Sequence, residues 1–205
     1  AKTDLGVKRP VRAAYIGSIL PFAQLESLID CCTAIQALDG EGFPIRLDIY
    51  SPAFLAEQYR QRLVVGSAIA LHDTIIDDAT FFRTMQEADI LLLPVNFDDY
   101  TIEYIRFSMP TKVPAYLATG TPILAYGPAE VAQISYAASA GWGMTVTRSY
   151  TDFLRQSVRQ LASDMQLRRQ LSARARDTAA ERHDSQVVAS AFQATLASAA
   201  WQQDV

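Results

Sequence analysis

The chain has 205 residues, of which 50% are hydrophobic and 20% are charged, and its formal net charge is −4. These values predict one globular domain that needs no disulfides, because a chain of this size buries roughly 70% of its unfolded surface. The acidic balance excludes a general nucleic-acid binder, since affinity for a phosphate backbone requires clustered Lys and Arg residues.

The first part of the chain alternates strands with helices, which is the pattern of βαβ units in a parallel sheet. Residues 12–17 (RAAYIG) predict a strand that ends in glycine, and apolar spacing over residues 22–35 predicts one face of a helix. Residues 46–51 (RLDIYS) predict a second strand, which a short helix over 52–62 follows. We expect the third strand, residues 68–72, to lie near an edge of the sheet.

The middle of the chain predicts the most buried strand. Asp77 or Asp78 can cap a helix that runs to Ala88. Residues 89–95 (DILLLPV) then form the unbroken apolar run that is typical of a central parallel strand. A long loop is expected after it, and the polar side chain of Asn96 in this loop is a candidate for a ligand contact.

The segment 109–126 (MPTKVPAYLATGTPILAY) predicts a turn, a helix that glycine ends, and a buried strand. Thr111 and Lys112 stand at the helix start, where backbone N–H groups, a hydroxyl and an ammonium can converge on one anion. Arg106 and Ser108 precede this turn, and the planar guanidinium of Arg106 suits a phosphate. The segment therefore indicates an anion-binding site.

Two other candidates follow predicted strands. Gly17 and Ser18 come after the first strand, where a doubly wound sheet brings backbone N–H groups to the ligand crevice. His72 ends the third strand. A plain turn glycine, a His that caps a turn and solvated loop residues are the alternatives at these positions. The sequence has no G-x-G-x-x-G after the first strand and no clustered ligands at metal spacing, so neither a nicotinamide site nor a metal site is predicted.

The C-terminal part predicts a last helix and strand of the sheet domain, over 129–139 and 144–147, and only helices after residue 150. The whole pattern predicts an α/β fold, a doubly wound, Rossmann-like parallel sheet of about six strands with C-terminal helices. The expected organisation is an N-terminal lead-in over 1–11, a Rossmann-like domain over 12–184, and a helix packed on it over 185–205.

From residue 14 to about residue 184, the order of elements resembles the C-terminal, donor-binding half of retaining GT-B glycosyltransferases of the group 1 type. The resemblance rests on QEADILLLPV and on KVPAYLATG, which is similar to the family's helix K-x-x-E-Y-L-A-x-G. It implies a carbohydrate-biosynthesis enzyme that moves a sugar from a nucleoside diphosphate sugar to an acceptor. The donor is a substrate and no cofactor is expected. An N-terminal acceptor-binding domain missing from this chain is expected as the partner.

The resemblance implies that the donor nucleotide sugar is bound by Gly17, Ser18, His72, Asn96, Arg106, Ser108, Thr111 and Lys112. It identifies no catalytic residue, and the chain departs from the family at four positions. Ser18 and Ala23 stand where the family has Arg and Lys, and Phe107 and Ala115 stand where it has two glutamates. Lys112 is the one matching cation.

These departures leave two alternatives open. One is a non-catalytic nucleotide-binding or interaction domain of GT-B descent. The other is a GT-B sugar-nucleotide epimerase, which His72 and Asp73 alone suggest, because epimerisation requires acid and base groups in the crevice.

No stretch of the sequence reaches the 18 or more apolar residues of a membrane span, so no transmembrane segment is predicted. A peripheral membrane contact of the full protein stays open. Cys31 and Cys32 are adjacent on the predicted first helix, which predicts buried thiols in a reducing compartment. We therefore expect a cytoplasmic protein.

Overall fold

A computed structural model of the chain describes residues 9–201. The sheet in this part consists of the strands β1 (Val11–Ile16), β2 (Ile45–Tyr50), β3 (Ile69–His72), β4 (Ile90–Pro94), β5 (Ile123–Tyr126) and β6 (Gly143–Val146). The helices around it are α1 (Leu25–Gly40), α2 (Ala53–Leu63), α3 (Asp78–Glu87), α4 (Asp99–Ile105), α5 (Lys112–Thr119), α6 (Ala132–Ala140), α7 (Thr151–Ser163), α8 (Met165–Arg182) and α9 (Ser185–Trp201).

All six strands are parallel, and their order across the sheet is β3-β2-β1-β4-β5-β6. The predicted doubly wound sheet of six strands is confirmed, with β3 at an edge and β4 in the centre. The strand order reverses between β1 and β4. In an open α/β sheet this reversal opens a crevice at the carboxyl ends of the strands, which is where ligands bind.

The core lies on both faces of the sheet, and alternate residues of β1 serve different faces. Ala13 and Tyr15 belong to the cluster that α1 and α7 cover, whereas Ala14 and Ile16 belong to the cluster with α5 and α6. Helix α7 packs against α1, and α8 packs against α5. Because both faces are covered, the central strands are apolar without alternation, as their sequences are.

Helix α4 was not predicted, because its segment was interpreted as part of the long loop after β4. Asp98 caps this helix, since its carboxylate accepts hydrogen bonds from the Thr101 N–H at 2.9 Å and the Thr101 hydroxyl at 2.7 Å. Ile102 and Ile105 pack against the core. The Asp-x-x-Thr spacing followed by two isoleucines three residues apart is the sequence signal of this short helix.

Helix α9 differs from the expectation that residues 185–205 pack on the domain. The side chains of residues 185–199 are all exposed, among them Phe192 and Leu196. The helix contacts α8, which precedes it. Its apolar residues Val188, Phe192 and Leu196 recur every four residues and so share one face of the helix, and this face is exposed. Residues 202–205 and most of the predicted lead-in lie outside the described residues.

Cys31 and Cys32 are free thiols buried on α1, as the sequence predicts. Burial raises the pKa of Cys32 to about 12, so this thiol stays protonated and unreactive at neutral pH. None of the helices within residues 9–201 has the length and apolar character that crossing a bilayer requires.

Candidate functional site

A crevice of about 700 Å³ opens at the carboxyl ends of β1 and β2, beside the start of α5. Its polar lining includes Gly17, Ser18, Ser51, Thr74, Thr111 and Lys112. Four chain segments therefore meet here, although more than 90 residues separate the first from the last. The fold thus brings together four of the predicted site residues, and it does so where the strand order reverses.

The ammonium of Lys112 is turned into the fold rather than out into solvent. Its Nζ donates a hydrogen bond to the Ile16 carbonyl oxygen at 3.0 Å and lies 4.2 Å from the centre of the Tyr15 ring. Burial away from water lowers the pKa of Lys112 to about 7. Near neutral pH this group therefore carries its proton about half of the time, and a bound anion would favour the charged form.

Gly17 makes the approach of Lys112 possible. Its φ of +148° is in the region that favours glycine, and a Cβ atom there would lie 2.6 Å from the Lys112 Nζ. The Gly17 N–H donates to the Tyr50 carbonyl at 2.9 Å, which extends the pairing of β1 with β2. The expectation that this N–H points to a ligand is therefore wrong. Gly17 provides space for the ammonium, not a donor.

The start of α5 supplies fewer donors than a typical helix N-terminus. The Thr111 hydroxyl makes no capping hydrogen bond. The Val113 N–H donates to the Pro110 carbonyl at 3.0 Å, and Pro114 has no N–H. In this part of the described chain, the groups left for an anion are the Thr111 hydroxyl and the N–H groups of Thr111 and Lys112.

Asn96 has a structural role, contrary to the prediction that it contacts the ligand. The residue is 1% exposed and lines neither cavity described here. Its side-chain oxygen accepts from the Ser27 N–H at 3.2 Å, and its amide nitrogen donates to the Pro21 carbonyl at 2.8 Å. Asn96 therefore ties the end of β4 to the first turn of α1 and to the segment before it, so its side chain is not available to a ligand.

His72 lies behind the crevice rather than in its lining. Its Nε2 is 3.0 Å from Oδ1 of the buried Asp48, and its ring stacks on Tyr50 with centroids 4.6 Å apart. Tyr50 itself lines the crevice, so His72 supports a wall of the site. Burial, with a contribution from the Asp48 charge, raises the pKa of the Tyr50 phenol. This phenol is therefore a neutral hydrogen-bonding group at physiological pH.

Arg106 and Ser108 have different positions. Arg106 is exposed, lines neither cavity, and extends over the neighbouring Phe107 ring at 5.5 Å. Ser108 lines a second, smaller cavity of about 280 Å³, which also includes Tyr104 and Gln133. Lys112 contributes to both cavities and so marks where they meet.

The electrostatic character of the two cavities is simple. Among the described residues that line them, Lys112 is the one Lys or Arg, and none is Asp, Glu or His. Within residues 9–201, no three His, Cys, Asp or Glu side chains are close enough to hold a metal ion. The arrangement suits an elongated ligand with one anionic group near Lys112 and uncharged groups on either side.

Several lining residues were not predicted. Tyr50 ends β2 and Ser51 follows it, at the same edge of the sheet where Gly17 and Ser18 follow β1, so the carboxyl end of the neighbouring strand was a usable signal. Phe81 on α3 also lines the crevice. Its helical spacing is that of an ordinary core residue, and the sequence contains no sign of its role.

The sequence matches no protein-family model, and no curated protein is significantly similar to it. Solved structures are similar. An α,α-trehalose-phosphate synthase (UDP-forming) from Burkholderia vietnamiensis is 13% identical with a TM-score of 0.70, over 96% of this chain and 45% of that one. HepE from Anabaena, solved with UDP-glucose, is 13% identical with a TM-score of 0.70, over 95% of this chain and 50% of that one.

The C-terminal domain of LpcC, a glycosyl transferase group 1 family protein from Francisella tularensis, is similar over most of both chains. It is 13% identical with a TM-score of 0.61, over 87% of this chain and 89% of that one. The chain spans about half the length of the first two structures. At this identity the likeness establishes the fold, and for the fold it confirms the resemblance to the C-terminal half of GT-B glycosyltransferases.

Proposed function

We propose that this chain is the donor-binding half of a glycosyltransferase and that its crevice binds a nucleoside diphosphate sugar. The observation that carries the proposal is the convergence of the Gly17 turn and the start of α5 on Lys112, at the reversal point of the sheet. A diphosphate beside Lys112 can accept hydrogen bonds from the ammonium and from Thr111. The solved structures with UDP and UDP-glucose support this choice of ligand class.

In this proposal the chain stabilises the diphosphate as the sugar leaves it. Charge that develops on the leaving group is met by the Lys112 ammonium and by the dipole of α5, which are in place before the reaction. A charge-assisted hydrogen bond contributes about 1.5–3 kcal/mol, and a helix N-terminus adds about 0.3–1 kcal/mol. A single cation therefore supports binding in the range of weak to moderate affinity.

Transfer itself is proposed to need the acceptor-binding half. Holding donor and acceptor at reacting distance contributes about 7–11 kcal/mol to catalysis, and one domain cannot provide both walls of the cleft. The donor is the only small molecule that the proposal requires besides the acceptor. We therefore expect the 205-residue chain by itself to bind the donor and to transfer no sugar.

One observation favours the alternative of a non-catalytic nucleotide-binding or interaction domain. Within residues 9–201, Lys112 is the one cation that lines either cavity, against a diphosphate with two or three negative charges. The epimerase alternative has less support, because the lining that the described part of the chain gives both cavities contains no carboxylate or His that can act as acid or base.

Isothermal titration calorimetry tests the proposal. The chain is titrated at pH 7 with UDP, GDP, ADP and their glucose conjugates. Binding of one nucleotide family with a dissociation constant between about 1 μM and 1 mM is expected, which corresponds to about 8 to 4 kcal/mol. Lys112→Met is expected to weaken binding about tenfold to a hundredfold, from the loss of one charged hydrogen bond.

The matched control is Arg169→Met, which removes an exposed cation of α8 that lines neither cavity. It is expected to leave the dissociation constant unchanged. Absence of heat with every nucleotide, from a chain that is folded by circular dichroism, would favour the interaction-domain alternative. Binding that both variants weaken equally would show a non-specific charge effect in place of a site at Lys112.

A further inference from the structure

The smaller cavity has the composition of a site for an uncharged polyhydroxy ring. Leu93, Pro94 and Ile105 form its apolar part, and Tyr104 contributes an aromatic ring. Its volume of about 280 Å³ is below the range of about 300–1,000 Å³ that holds a drug-sized ligand, so it suits a single ring. It joins the larger crevice at Lys112, so one ligand can occupy both.

Gln133 is the polar residue of this cavity whose hydrogen bonding is incomplete. It is 4% exposed, and within the described chain its side-chain oxygen Oε1 has no hydrogen-bond partner. A buried polar atom left unpaired costs about 1–3 kcal/mol, so such an atom needs an explanation. Gln133 is among the residues that line the smaller cavity, and the terminal torsion of glutamine has a broad preference, so its amide can adjust to a ligand hydroxyl there.

The position of Gln133 is fixed by the backbone. It is in the first turn of α6, and the neighbouring Ala132 N–H donates to the Arg106 carbonyl at 2.7 Å. This hydrogen bond holds the start of α6 against the segment that carries Ser108. The amide of Gln133 and the Ser108 residue therefore line the same cavity from two chain segments.

We propose that Gln133 is a specificity-determining residue, which accepts a hydrogen bond from a hydroxyl of the neutral sugar attached to the diphosphate. This inference rests on the proposed function, because it takes the diphosphate to lie at Lys112 between the two cavities. A hydroxyl donor in the smaller cavity pairs the buried oxygen of Gln133. A sugar whose hydroxyl points elsewhere leaves that oxygen unpaired, and such unpaired groups are a strong source of discrimination.

The test uses the full chain and its Gln133→Met variant. Methionine has a similar length and no group that needs a hydrogen bond, so the variant is expected to be at least as stable as the parent. Gln36→Met is the matched control, because the Gln36 oxygen accepts from the Ala68 N–H at 3.0 Å and has a structural role. Melting temperatures of both variants are measured first.

Calorimetry then compares the free diphosphate with its glucose, galactose and N-acetylglucosamine conjugates, for whichever of UDP, GDP or ADP binds. Gln133→Met is expected to weaken binding of the preferred conjugate about threefold to tenfold, which is the effect of one neutral hydrogen bond. The dissociation constant of the free diphosphate is expected to change by no more than about twofold. The preference among the sugars is expected to fall by the same factor. Gln36→Met is expected to lower the melting temperature and to keep the preference.

Three results would overturn the inference. One is an unchanged preference in Gln133→Met, and another is equal weakening of the free diphosphate and its conjugates. The third is a lower melting temperature for Gln133→Met, which would show that the amide has a structural partner. If the parent chain binds no nucleoside diphosphate at all, the proposed function itself fails, and this result is distinct because it appears before any variant is compared.

Discussion

Replacing Lys112 by Met is expected to change how the stability of the protein depends on pH. The ordinary pKa of this side chain is 10.5, and burial lowers it to about 7 in the folded chain. Between these two values the unfolded chain binds a proton that the folded chain has released. The free energy of unfolding therefore rises with pH in this window, and the contribution of Lys112 to stability is smallest below pH 7.

The size of the effect follows from linkage. A single group with these two pKa values raises the free energy of unfolding by about 2.5 kcal/mol between pH 7.5 and pH 9.5. Part of the Lys112 side chain is in contact with solvent, so we expect about 1–2.5 kcal/mol. Lys112→Met lacks the titrating group, and its stability is expected to lack this rise.

Urea unfolding at pH 7.5 and pH 9.5 gives the free energy of unfolding of the parent and of Lys112→Met. The change in this free energy between the two pH values is calculated for each protein, and the difference between the two changes is the contribution of Lys112. Burial raises the pKa values of Cys31 and Cys32, so these groups lower stability at high pH. They do so equally in both proteins and cancel in the comparison. Arg169→Met serves as the control for loss of a surface charge.

Equal pH dependence in the parent and in Lys112→Met would refute this reasoning. It would mean that the Lys112 ammonium is hydrated and keeps its ordinary pKa. The hydrogen bond to the Ile16 carbonyl would then not hold this side chain inside the fold in solution.

Three further substitutions are expected to separate structural from ligand-binding roles. Gly17→Ala should lower stability by about 1–3 kcal/mol in urea unfolding because of its positive φ, and it should also weaken nucleotide binding, since the new Cβ displaces the Lys112 ammonium. Unchanged stability would contradict it. Asn96→Ala should lower stability by about 1–3 kcal/mol, because it leaves buried backbone groups unpaired. Calorimetry of the folded variant should show unchanged nucleotide affinity. Loss of binding without loss of stability would show that Asn96 contacts the ligand. Ala115→Glu, in the crevice lining, should strengthen binding of a ribonucleotide by about 1 kcal/mol through the ribose hydroxyls, and weaker binding would instead indicate an ion pair with Lys112.

The pattern of the sequence predicted which elements form and where the main strands lie. The unbroken apolar run over residues 89–95 indicated a central strand, and it forms β4. The prediction that β3 lies at an edge of the sheet was also correct. Helix α4 was not predicted because its segment was interpreted as part of the long loop after the central strand. The exposure of α9 was not predicted either, because apolar residues in a sequence do not reveal whether another surface covers them.

The site was predicted in part, since topology decides which strand ends meet but not how each group is bonded. Gly17 and Lys112 do lie together, because both line the crevice that opens where the strand order of a doubly wound sheet reverses. The direction of side chains was beyond the sequence. Asn96 turns inward to pair backbone groups, Arg106 turns outward, and His72 pairs with Asp48 in the neighbouring strand.

A nucleoside diphosphate is proposed to bind in the crevice beside Lys112. Two-dimensional ¹H–¹⁵N NMR of the labelled chain, with the tightest-binding nucleotide added in steps, tests it residue by residue. The amide signals of Gly17, Ser18, Thr111 and Lys112 are expected to shift together and to saturate at one dissociation constant, while those of α9 stay in place. Saturable shifts elsewhere, with these four signals unmoved, would contradict it.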